Sequence, residues 1–79
     1  MATHPLVPAI SLDCTGLRCP MPIVKLGLAI RQLPAGSLVE VHACDPAFEP
    51  DLQAWARQTG HAIVEFETGS VQRAVVRKS

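Results

Sequence analysis

Cys19 stands in the run Arg18-Cys19-Pro20-Met21-Pro22, and no other residue of the sequence has a setting so suited to chemistry. Pro20 fits the first position of a helix, where an N–H is not needed. A thiol at such a helix start faces unpaired N–H groups and the positive end of the macrodipole. Both favour the thiolate, which is the nucleophilic form, and can lower a cysteine pKa from about 8.5 into the range of roughly 3.5–7.5. Arg18 adds a neighbouring positive charge, weakened by water and salt. Pro20 and Pro22 carry no N–H, so Cys19, Met21 and Ile23 are the donors left in the first turn. The prolines also stiffen that turn and hold the sulfur outward. The plain alternative is a buried cysteine that only caps the helix.

The other chemistry-bearing residues point less clearly. Cys14 reads as a turn residue, or as a second thiol that exchanges with Cys19. Cys44 reads as a buried strand-end residue, with a second-thiol role as its alternative. Asp45 reads as the N-cap of a second helix, or as a group that orients a partner at the same edge. His61 follows a helix-ending glycine and reads as structural, and His4 lies in the tail. The sequence holds no CxxC or HxxxH pair, so no metal site is expected. Without a Gly-rich phosphate loop, no cofactor is expected either.

These residues must be positioned by a short list of elements. Residues 1–9 read as a flexible N-terminal tail, and 10–79 as a single domain. Ala9-Ile10-Ser11-Leu12 is a strand candidate, and Asp13 to Gly16 is turn-like. A helix follows from Pro20, with Ile23, Leu26, Gly27, Ile30 and Leu33 on one face, closed by Pro34-Ala35-Gly36. Gly27 costs up to about 1 kcal/mol of helix propensity, which close packing on the sheet would offset. Residues 38–43 alternate as a strand. Asp45-Pro46 opens a helix to about Thr59, with Leu52, Trp55 and Ala56 as its apolar face and Gly60 as its stop. Pro50 fits only if the regular helix begins near Glu49. Residues 62–67 and 71–77 form a hairpin around Thr68-Gly69-Ser70.

The order is βαβαββ, an α+β two-layer sandwich: a four-stranded mixed sheet with two helices on one face. A parallel first βαβ unit places the ends of the first two strands and the starts of both helices along one edge. Cys14, Cys19, Cys44 and Asp45 all map there.

Composition excludes several functions. The 79 residues carry seven basic and seven acidic side chains, so no net positive field argues for direct nucleic-acid binding. Arg73, Arg77 and Lys78 read as a solvated strand edge. No apolar run approaches the roughly 20 residues of a membrane span, and no secretory signal is visible, which points to the cytoplasm. Three cysteines there are a poor disulfide framework.

The stretch from Leu12 to Pro22, LDCTGLRCPMP, resembles the signature of the TusA/SirA-like sulfur-carrier family, with its CPxP motif. Leu33, Gly36, Asp45-Pro46, Asp51, Trp55, Gly60-His61 and Val76-Arg77-Lys78 fall where that family has similar residues. The resemblance covers residues 10–78. It implies the same βαβαββ sandwich and a motif cysteine, Cys19, that accepts sulfane sulfur as a persulfide. It also implies a sulfur donor, a cysteine desulfurase or rhodanese, and an acceptor protein in tRNA thiolation, molybdenum-cofactor assembly or sulfur oxidation. Such a protein is a sulfurtransferase that works as a carrier, rather than a self-contained turnover enzyme. Arg18, Pro20, Pro22 and Asp45 would support Cys19. Met21 stands where relatives often have an acidic residue, which makes the docking surface more apolar. Two other classes remain in view: a non-covalent RNA-binding or regulatory module, and a thiol-disulfide redox protein using Cys14 and Cys19.

Overall fold

Val39, Val41 and Ala43 alternate with Leu38, Glu40 and His42, so strand β2 (Leu38–Ala43) buries one face and leaves the other to solvent. In the computed structural model, which describes residues 7–79, β2 pairs in parallel with β1 (Ile10–Cys14). It pairs antiparallel with β4 (Gln72–Arg77), and β4 pairs antiparallel with β3 (Ala62–Glu67). The sheet order is β1-β2-β4-β3. A register shift between Ile63 and Glu65 leaves Val64 as the extra residue of β3.

Helix α1 (Met21–Ile30) and helix α2 (Phe48–Thr59) cover one face of this sheet. Leu26 and Ile30 of α1 and Phe48 and Leu52 of α2 share one core with Val39, Val41, Ala43, Ala74 and Val76. Phe48 stacks on Phe66, with ring centroids 6.1 Å apart. The βαβαββ sandwich expected from the sequence is therefore present.

Several boundaries differ from the expectation, each for a local reason. Strand β1 runs on through Asp13 and Cys14, and the turn starts at Thr15. Asp13 Oδ1 accepts from Thr15 N and Thr15 Oγ1, at 3.1 and 2.6 Å, which closes the turn after the strand rather than within it. Ala9 donates to Leu38 O at 2.7 Å, so the last residue of the expected tail is tied to β2. Residues 1–6 of that tail, His4 included, lie outside the described residues. Helix α1 ends at Ile30, and a tighter turn with Leu33 N donating to Ile30 O carries the chain on. Lys78 Nζ donates to Leu33 O at 2.6 Å, supplying a cation where the carbonyls of this turn face outward.

Gly27 faces α2 rather than the sheet: a Cβ there would meet Trp55 Nε1 at 3.9 Å, an ordinary contact. Gly60 closes α2 with φ 83°, the left-handed conformation that glycine adopts freely. His61, just beyond it, lies against Trp55 and accepts from Ser79 N through Nδ1, in keeping with a structural role.

Candidate functional site

The edge where β1 and β2 end and both helices begin carries the candidate residues. Asp45 ties it together. It was expected to cap α2, with Pro46 as the first helical residue. Instead Ala47 is the N-cap and α2 begins at Phe48. Asp45 belongs to the turn before the helix. Its Oδ1 accepts from Ala47 N at 2.8 Å, and its carbonyl accepts from Phe48 N at 3.0 Å. Its second carboxylate oxygen crosses to the other loop and accepts from Cys19 N at 3.2 Å. Gln72, at the start of β4, donates from Nε2 to Asp45 O at 2.8 Å and is itself buried. Asp45 thus joins the Cys19 loop, the entrance of α2 and the sheet. The N–H groups of Ala47 and Cys19 hold its carboxyl below the usual range. Pro50 is the third residue of α2, where its missing N–H leaves no helical bond unmade.

Cys19 precedes α1 by two residues. Pro20 is the N-cap of the helix, not its first residue, and its peptide bond with Cys19 is cis. Pro22 sits inside the first turn and is fully buried, so the second proline of the motif plugs the core while Pro20 stays exposed. Met21, between them, is 48% exposed.

The expected thiolate is not what this geometry favours. Cys19 N is engaged by Asp45, and Met21 N donates to Arg18 O at 2.9 Å. Pro20 and Pro22 have no N–H to offer, so the helix start presents little positive end to the sulfur. Asp51, in the first turn of α2, faces the thiol instead. Burial, the Asp51 carboxylate and, less strongly, Asp45 push the Cys19 thiol up to about 11. Arg18 is exposed and acts on Asp45 rather than on the sulfur. Cys19 is a half-buried free cysteine whose surroundings disfavour the thiolate.

The other two cysteines exchange their expected roles. Cys14 is not a turn residue: it is the last residue of β1, fully buried in the shared core, and burial pushes its thiol up. That placement argues against exchange with Cys19 in the folded protein. Cys44 was expected to be buried at a strand end. It lies one residue past β2, is exposed, and lines a cleft with Thr15, Gly16, Leu17, Arg18 and Asp45. All three thiols are free.

Two contributors were missed. Asp51 matched the family resemblance but suggested no contact with Cys19. Gln72 did carry a signal, a polar residue in register with the inward-facing Ala74 and Val76. The basic cluster also resolves differently from a solvated edge. Arg73 is bound by three glutamates on the open sheet face and Lys78 meets the α1 terminus, while Arg77 is exposed. The described residues hold no group of three or more His, Cys, Asp or Glu side chains suited to a metal ion. No helix among them is long and apolar enough to cross a membrane.

The family model for sulfurtransferase TusA matches residues 10–78, nearly the whole chain. The chain belongs to the TusA family. The YrkF protein of Bacillus subtilis is 46% identical over 70 residues, 87% of this chain but 38% of its own length. The sulfur carrier protein TusA of Allochromatium vinosum is 35% identical over 69 residues, covering 86% of this chain and 91% of that protein. Among solved structures, a SirA-like protein from Desulfitobacterium hafniense superposes with a TM-score of 0.75 at 25% identity, covering 86% of this chain and 95% of that one. This member of the family therefore keeps the shared fold, with its motif thiol on the rim of the sandwich beside two aspartates.

Proposed function

We infer that this protein is a sulfur carrier in which Cys19 takes up sulfane sulfur as a persulfide and passes it to another protein. The observation that carries the reading is the placement of Cys19 in the family's motif: a free, partly accessible sulfur on a rim, with its backbone pinned by Asp45. The chemistry asks little more of the carrier. The Cys19 thiolate attacks the terminal sulfur of a donor's persulfide. The donor's S–S bond breaks as a new one forms on Cys19, the donor leaves as a thiolate, and the persulfide proton stays with the transferred sulfur. No outside oxidant is consumed. An acceptor thiolate repeats the step on the loaded protein.

The donor is a protein that forms a persulfide of its own, a cysteine desulfurase or a rhodanese. The acceptor belongs to tRNA thiolation, molybdenum-cofactor assembly or sulfur oxidation. A reducing compartment such as the cytoplasm suits the three free thiols. The exposed apolar side chains Met21, Val24 and Leu28 recur along α1 at helical spacing from Cys19, giving a docking partner a surface to bury.

Cys19→Ser keeps the fold and abolishes sulfur loading. Mass spectrometry after incubation with a persulfide donor checks this. A Cys19→Ser protein that gains sulfur to the same extent as wild type would overturn the assignment.

A further inference from the structure

Cys19 is surrounded by acid and short of base. Asp45 reaches it from the loop after β2, through a 3.2 Å bond to its backbone N–H. Asp51, in the first turn of α2, lines a groove together with Pro20, the residue bonded to Cys19. The four ion pairs of the described residues all lie on the open sheet face, and neither aspartate takes part in one. Arg18 is directed to Asp45, and Lys25 of α1 acts on Asp13 and Cys14. Among the described residues, no cationic side chain forms an ion pair with Asp51. Asp51 also lines a shallow groove with Pro20, Ile23, Ala54, Trp55 and Gln58, in which it is the one ionisable residue. Pro20, which lines the groove, is the residue that follows Cys19 in the motif.

A reactive thiol needs to ionise, and two carboxylates at its side oppose that. We propose that Asp51 gates Cys19 by charge: as the one ionisable residue of the groove beside the motif, its carboxylate opposes a negative charge on the sulfur, and a cationic side chain that the sulfur donor brings into the groove offsets it. The gate deepens the sulfur-carrier reading and rests on it for the identity of the partner. It keeps the free carrier from being alkylated or oxidised, since the thiol is a poor nucleophile. It also selects partners, because a donor presenting an anion to the groove would reinforce the block. Asp51 is a positioning residue in this scheme.

Two measurements test the gate. The first is the pH dependence of iodoacetamide alkylation at Cys19, read on its own peptide, in wild type, Asp51→Asn and the control Glu49→Gln. Asp51→Asn should move the midpoint down by about one unit, raising the rate at pH 8 about tenfold, with Glu49→Gln unchanged. An unmoved midpoint in folded Asp51→Asn overturns the proposal. The second needs no variant. Wild-type Cys19 should react at least about tenfold faster with a cationic methanethiosulfonate than with an anionic one, relative to the same ratio for a short unstructured cysteine peptide. Equal ratios overturn the proposal. Loading of Asp51→Asn, in which the opposing carboxylate is gone, from a low-molecular-weight persulfide, scored by mass, separates the two readings. Loading without either charge effect sinks the gate and leaves the carrier. Charge effects without loading sink the carrier and leave the gated thiol.

Discussion

Two groups of carboxylates sit on this domain, and the chain treats them in opposite ways. On the open face of the sheet, Glu40, Glu65 and Glu67 converge on Arg73. The guanidinium donates to Glu40 at 3.0 Å, to Glu67 at 3.1 Å, and to Glu65 as well. Burial alone would raise the Glu40 carboxyl, but bonds from His42, Ser11 and Arg73 outweigh it and hold it low. Val75, which faces away from the shared core, is nonetheless buried beneath these long side chains. At the edge of the sandwich, Asp45 and Asp51 lie on either side of the Cys19 loop, and among the described residues neither takes part in an ion pair. Paired charge makes a lid for the sheet. Unpaired charge makes a thiol that waits for a partner.

The comparison can be broken most forcefully from below. Phe48 opens α2 directly after the Asp45 turn and lies in the core that both regions rest on. Phe48→Ala should cost about 3–5 kcal/mol, a large share of the stability of so small a domain. The urea midpoint should fall accordingly, with the two regions unfolding together.

Arg73→Ala leaves three glutamates facing one another and uncovers Val75. The network is partly exposed, so solvent screening limits the loss to about 1 kcal/mol, and raised salt should recover part of it. Sulfur loading at Cys19 should be unchanged. A loss of loading at constant fold would join the two regions and contradict their separation.

Asp45→Ala removes the acceptor of two backbone N–H groups. Hydrogen exchange at the Cys19 amide should quicken, with little change in β3 and β4. The Cys19 thiol should also ionise somewhat more readily, since one of the two carboxylates has gone. The smallest effect is expected of Cys44→Ser: an exposed thiol outside the strand contributes little packing, and loading should persist.

Reading the sequence went furthest where short-range rules apply. Proline, glycine and period placed six elements in order, and Gly60 stopped α2 where a left-handed residue is needed. The motif around Cys19 was legible through its resemblance to the family. The electrostatics of that cysteine were not. A helix start suggests a lowered pKa, but of the three first-turn donors Cys19 N is taken by Asp45 and Met21 N by Arg18 O, and the two prolines add none. The opposing carboxylate comes from Asp51, 32 positions along the chain on another element. The cysteines misled for a similar reason. Cys14 and Cys44 both stand near strand ends, and continuing β1 through Asp13 buries the first, while ending β2 at Ala43 exposes the second.

Peptide mapping of the protein after reaction with a persulfide donor tests the central claim most directly. One added sulfur atom on the peptide that carries Cys19, released by dithiothreitol, is the predicted result. Sulfur found on the Cys44 peptide instead, with Cys19 unmodified, would contradict it.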